Sequence, residues 1–188
     1  EAKFGQHAKV QRQAILFRNE RLIFLADALL CDQAGDWELQ STLPLAAEIN
    51  FASCQKTTEG FLQHPRGLNS LVLPIHLPEW KRALGGEQRL EFVEEESVLK
   101  LSNSCTNARA LYSPILISLH NRHAKQPFTW RNLTVGEELR IVGRDEACAY
   151  RVQLGKEQLL FYRTLAPARR RTALGMHTLC DFYAGRFD

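Results

Sequence analysis

Between Val10 and Leu30 the chain reads VQRQAILFRNERLIFLADALL, two runs crowded with β-branched and aromatic residues around the polar group Arg18-Asn19-Glu20-Arg21. This pattern predicts an antiparallel hairpin with its turn at 18–21. Asn19 tolerates the positive φ that tight hairpin turns favour. With Phe17 opposite Leu22, the register sets Ile15 against Phe24, Leu16 against Ile23 and Arg12 against Asp27, so opposite charges meet across the ladder. Ile15, Phe17, Leu22 and Phe24 then share one face, and Leu16, Ile23, Leu25 and Leu29 share the other. A strand pair that is apolar on both faces is covered on both. Asp27 therefore sits in a mostly dry neighbourhood where an unpaired charge costs several kcal/mol, and a structural ion pair with Arg12 is expected. A catalytic carboxylate is the other reading of Asp27.

The remainder of the chain repeats the same short-strand grammar. Residues 31–36 read as a polar turn, followed by a strand in which Trp37, Leu39 and Leu43 share a face and Pro44 ends the run. Short strands are expected at 47–51 and around Phe61-Leu62, a turn at His64-Pro65-Arg66-Gly67, and a half-buried strand at 70–77. Leu77 to Leu84 fits one helical turn or two, confined by Pro78 and Gly85-Gly86. A pair at 89–93 and 98–101 encloses the acidic turn Glu94-Glu95-Glu96. The run 109–120 carries Leu111, Ile115, Ile117 and Leu119 on one face and Tyr112, Leu116, Ser118 and His120 on the other. Pro114, which lacks an N–H, makes it an edge strand or a bulged one. Further strands are expected at 128–133 and 139–142. A second hairpin turns at Gly155-Lys156 with Val152 opposite Leu159 and Tyr150 opposite Phe161. A basic loop at 167–172 and a last strand at 177–183 complete the chain. About a dozen short strands with turns between them predict an all-β fold, an antiparallel sandwich with little helix. No internal repeat or low-complexity linker divides the 188 residues, so a single domain, 1–188, is expected.

Composition narrows the function classes. A formal net charge of +3 does not by itself point to nucleic acid. No apolar run approaches a membrane span and no signal-peptide pattern is present. The chain opens on Glu1-Ala2-Lys3 and stops at Asp188 in what reads as an unfinished strand, so a fragment of a longer protein is expected. Cys31, Cys54, Cys105, Cys148 and Cys180 are widely spaced with no CxxC pair, which argues against a zinc ribbon and leaves one disulfide open without choosing its partners.

No nucleophile elbow, phosphate loop, metal helix or cofactor fingerprint appears, and no residue is assigned as catalytic. His120-Asn121-Arg122-His123 is the nearest to a metal pattern, but residues three apart on a strand face opposite ways, so no metal site is expected. Arg163, Arg169, Arg170 and Arg171 form the clearest basic cluster. Planar guanidinium groups suit carboxylates and sulfates. Trp37, Trp80, Trp130, Tyr112 and His120 are the side chains suited to stack on or bond to sugars, with core packing as the alternative for each. Together these nine residues are the carbohydrate-binding candidates. Asn132-Leu133-Thr134 fits a glycosylation sequon.

The run Arg12-Gln-Ala-Ile-Leu-Phe17, then Leu22-Ile-Phe-Leu-Ala-Asp27, then Trp37 and Thr42-Leu-Pro-Leu45, resembles the start of the C-terminal β-sandwich of heparinase II/III-like proteins. Tyr150-Arg151-Val152 and the strand from Leu159 to Leu165 extend the resemblance. It implies an accessory sandwich packed beside an α-helical domain of the same chain, outside these residues, that supplies most catalytic residues of a polysaccharide lyase. The sandwich would close one side of a cleft for an acidic polysaccharide, in a secreted or periplasmic protein. Where some members carry histidines after the hairpin, this chain has Trp37 and Thr42, and no catalytic residue carries over. The alternatives are a free-standing carbohydrate-binding module for anionic glycans, or a structural or protein-interaction domain.

Overall fold

In the computed structural model, which describes the backbone of residues 2–4 and all of 7–85 and 88–187, the opening hairpin takes the register its side chains predict. Strand β2 (Ala8–Phe17) pairs with β3 (Leu22–Pro44), setting Phe17 opposite Leu22, Ile15 opposite Phe24 and Arg12 opposite Asp27. A short β1 (Ala2–Phe4) lies on the outer edge of β2. The turn differs in one respect. Arg21 rather than Asn19 takes positive φ, at 53°, because Arg21 N–H first closes a β-turn onto Arg18 O at 3.3 Å and the backbone must then reverse hand to enter β3.

The larger correction concerns residues 31–36, which are not a turn. They are the middle of β3, a 23-residue strand that pairs along its length with β8 (Val98–Ser118). The register slips between Leu30 and Gly35 and again between Gly35 and Trp37. Such irregularities bend a strand and increase its twist. Gly35 lies beneath the Trp37 indole, where an added Cβ would stand 3.1 Å from the ring. The polar composition thus marked a bend inside a ladder.

That bend supplies the second cover the hairpin requires. The distal halves of β3 and β8 fold back over the proximal halves, so Leu43, Leu101 and, from β7 (Arg89–Val93), Leu90 pack with Ile23, Leu25, Ile115 and Ile117. Farther along the same face, Trp37, Leu39 and Cys105 pack with Leu29 and Leu111. The opposite face, with Leu22, Phe24, Ala26, Ala28, Tyr112 and Leu116, meets a second sheet. Its strands, in spatial order, are β16 (Phe182–Arg186), β13 (Glu157–Thr164), β12 (Ala147–Leu154) and β9 (Phe128–Leu133). Phe24 stacks on Phe161 across the interface with ring centroids 4.9 Å apart. Burying a side chain of this size contributes roughly 1.5–3 kcal/mol. The β12–β13 hairpin pairs Val152 with Leu159 and Tyr150 with Phe161, turning through Gly155 at φ +61°.

The first sheet runs on from β8 through β6 (Asn69–Leu73), β5 (Gly60–Gln63) and β4 (Asn50–Ser53). The strand expected at 70–77 stops at Leu73, and residues 71–77 are buried on both sides rather than one. The reason is that 74–77 bonds side chains of one neighbouring strand, β9: Trp130 Nε1 donates to Leu77 O and Asn132 Nδ2 to His76 O. A third sheet, in the order β11 (Arg140–Ile141), β10 (Val135–Glu137), β14 (Arg171–Ala173), β15 (Met176–Thr178), packs through Val135 and Ala173 against Ala149 and Tyr162. The expected basic loop therefore ends in a strand at Arg171, and the expected strand at 177–183 is two, β15 and β16, broken by 179–181. Gly86, expected to close the loop before β7, lies outside the described residues, as do Glu1 and Asp188. Among the described residues helix is confined to three 3₁₀ turns, and no helix is long and apolar enough to cross a membrane. All five cysteines are free thiols.

Candidate functional site

The fold-back traps a polar layer between its two apolar clusters. Asp27, with its side chain 7% exposed, accepts hydrogen bonds from Arg12 Nε at 2.8 Å and Arg12 Nη2 at 2.7 Å. Burial alone would raise the Asp27 carboxyl, but the bonds and charge of Arg12, with a contribution from Ser41, hold it below its ordinary value. Opposite Asp27 on β8 stands Ser113, whose Oγ receives Asn103 Nδ2 from the distal half at 3.0 Å. Both oxygens of Asp27 are engaged, so this geometry holds a charge in place rather than readying it for proton transfer.

The basic cluster is largely turned to bonds within the chain. Arg171 is buried, donating from Nε to Glu137 Oε2 at 2.8 Å, and from Nη1 to Thr164 Oγ1 at 2.5 Å and Glu146 O at 3.1 Å. Arg169 pairs with Glu137 at 3.4 Å, and Arg163 donates to Gln11 Oε1 at 2.8 Å. Arg140 clamps Glu146 with two bonds of 2.7 Å and reaches Glu137 at 2.9 Å. The Arg140 bond is the main cause that draws the Glu146 carboxyl down to about 2, and bonds from Arg140 and Arg171 lower Glu137. Of the four clustered arginines only Arg170 stands exposed with no partner recorded. The sequence showed the positive charges of this region together but could not show Glu137 on β10 and Glu146 in the turn before β12 arriving to neutralise them.

The aromatic candidates separate by burial. Trp130 is in the core and bonded to Leu77 O at 2.8 Å. Trp37 is half-buried and bonded to Ala108 O at 2.9 Å. Tyr112 is buried with its hydroxyl on Gln13 Oε1 at 2.8 Å. His120 and His123 do converge, because a turn and a 3₁₀ segment follow β8, and their ring centroids are 5.3 Å apart. His123 Nδ1 is bonded to Ser118 Oγ at 2.7 Å. Among the described residues no group of three or more His, Cys, Asp or Glu is placed to hold a metal ion.

Trp80 is different. It is 47% exposed, with the Arg82 guanidinium 5.5 Å from its ring centroid. Its backbone is fixed from several sides: Trp80 bridges to Thr57, Thr58 Oγ1 donates to Pro78 O at 2.7 Å, and Lys81 N–H bonds to Lys56 O at 3.0 Å. Next to it, Glu79 accepts from Trp130 N–H at 2.8 Å and from Thr129 and Arg131. Burial would raise the Glu79 carboxyl, but these donors hold it below its usual range. Exposed Arg82 lies over the indole, while exposed Lys56 and Arg131 belong to the neighbouring segments, Arg131 paired with Glu79 and the buried Glu59 bonded to Thr57. A flat apolar ring beside cations can stack on one face of a sugar and attract its carboxylate or sulfate.

Sequence reasoning singled out neither Arg82 and Arg131 nor His76, which is buried beside a cavity. No family model, no curated protein and no solved structure matches this chain.

Proposed function

We infer that this chain is an accessory β-sandwich, not catalytic on its own, that presents the Trp80 surface to an acidic polysaccharide. The observation that carries the reading is the exposed indole of Trp80, held on a fixed backbone with the Arg82 guanidinium 5.5 Å from its ring centroid. The strand pattern at 12–17, 22–27 and 42–45 that resembles the heparinase II/III-like sandwich supports a place beside a lyase-like helical domain. In that setting the Trp80 surface forms one wall of the substrate cleft.

Calorimetric titration with a uronic-acid polymer tests this. Saturable binding is expected to weaken roughly tenfold or more in Trp80→Ala and to fall with added salt. No unsaturated product should absorb when protein and polymer are mixed. Absence of binding, or binding indifferent to Trp80→Ala, overturns the reading. The alternative of a structural or protein-interaction domain is favoured by one observation of its own. Among the described residues Leu139 and Ile141, at the edge of the third sheet, are the most exposed large apolar side chains.

A further inference from the structure

A cavity of about 180 Å³ lies beside the unpaired edge of β8, and the titration above does not concern it. That edge is open because β7 pairs with β8 only as far as Ser102 and β6 begins again only at Leu116. Side chains partly substitute for the missing strand: Asn103 Nδ2 reaches Tyr112 O at 3.3 Å and His76 Nδ1 lies 3.3 Å from Pro114 O. Since a carbonyl can only accept, His76 carries its proton on Nδ1, and Nε2 holds a lone pair. His76 is 6% exposed, and its Nε2 is buried with no partner. Burial pushes the imidazole down to about 4, so it is a neutral acceptor across the physiological range. A buried acceptor without a donor is costly, and native proteins rarely keep one unless a ligand or water satisfies it.

The remaining walls describe what fits. Tyr112 and Tyr150 line the cavity with ring centroids 6.3 Å apart, Leu111 and Ala110 add apolar surface, and Gln88, Asn103 and Ser104 add polar groups. The exposed Arg144 and half-exposed Asp145 stand where the cavity opens, and their opposite charges favour neither sign of ligand. A volume of about 150 Å³ is enough for a benzene-sized ring. We propose that this cavity binds a small, uncharged, phenol-like molecule whose hydroxyl donates to His76 Nε2 while its ring lies against the two tyrosines. The site is independent of the Trp80 surface and stands or falls separately.

The test titrates the wild-type chain with phenol, and with benzene as the same ring lacking a donor, following amide shifts by NMR. Phenol should bind saturably, shifting residues around His76, Tyr112 and Tyr150, and should bind about tenfold more tightly than benzene. His76→Phe should erase that preference. Ala108→Leu, which narrows the cavity from its half-exposed rim, should abolish binding and serves if the first variant fails to fold. No saturable shift with phenol means that the cavity holds water only and overturns the proposal. Equal affinity for benzene and phenol in the wild type, or unchanged phenol binding in Ala108→Leu, overturns it as well.

Discussion

Arg12 holds Asp27 through two hydrogen bonds of 2.8 and 2.7 Å, although the guanidinium side chain is 62% exposed and the carboxylate only 7%. The unequal burial makes the pair asymmetric. Arg12→Ala strands a buried carboxylate beneath the folded ribbon, whereas Asp27→Asn releases an arginine that water can solvate. Arg12→Ala should cost about 2 kcal/mol and Asp27→Asn nearer 1 kcal/mol, read from urea denaturation midpoints. Asp27 has a lowered carboxyl in the folded state, so its contribution is complete above the unfolded value near 4 and is lost as pH falls through the folded one. The reverse order of the two variants would mean that the fold-back does not shield Asp27.

His76 should make the protein acid-sensitive in a higher window. Its folded value of about 4 lies below the unfolded 6.5, so as pH falls from 6.5 the unfolded chain takes up the proton first. Stability is therefore full above pH 6.5 and declines down to about pH 4, by roughly 3 kcal/mol in all. His123, also lowered mainly by burial, adds in the same direction. Thermal melts between pH 7 and 5 should slope less steeply in His76→Gln than in the wild type, with the His123 contribution present in both. Equal slopes would place His76 in water.

Arg171 fastens the third sheet to the second. Its bonds reach Glu137 on β10, Thr164 on β13 and the Glu146 carbonyl before β12. Arg171→Leu fills the space but leaves those acceptors short of a donor, and should cost about 2 kcal/mol or more. Hydrogen exchange should then accelerate first in β10, β14 and β15, while β2 and β3 keep their protection. Uniform acceleration would show that the third sheet is not a separate unit of opening.

Gly60 is fixed by space rather than by backbone conformation. A Cβ there would stand 2.1 Å from the Phe51 ring and 2.9 Å from Ala52 O on the paired strand. Gly60→Ala should destabilise by about 1–3 kcal/mol through displaced packing, seen as a lower melting temperature. A neutral result would mean that Phe51 has another rotamer available at little cost.

The hairpin registers were legible because each side chain had one plausible face: Leu22 and Phe24 inward, Arg12 against Asp27, and Gly155 where positive φ was needed. The two-sided cover of β3 was also legible as a requirement. Its source was not, since nothing local in residues 31–36 tells a bulged continuation from a turn, and only pairing with β8, some 70 residues on, decides it. The pairing of the arginine cluster was hidden for a similar reason. Charge spacing shows like residues gathered along the chain, but Arg171 and Glu137 are 34 positions apart and meet through sheet pairing. Trp80 was named from its type alone, and its importance rests on its exposure and on the Arg82 guanidinium over its ring.

The most direct test of the glycan-facing surface is to map amide shifts on adding a short uronic-acid oligosaccharide. Perturbations confined to residues 56–58, 79–84 and 129–131 are the expected result, since these segments hold the backbone of Trp80 and the side chain of Glu79 beside it. Shifts gathered instead at 163–171, or no shift at all, would contradict the account and return the arginine loop or a purely structural role to consideration.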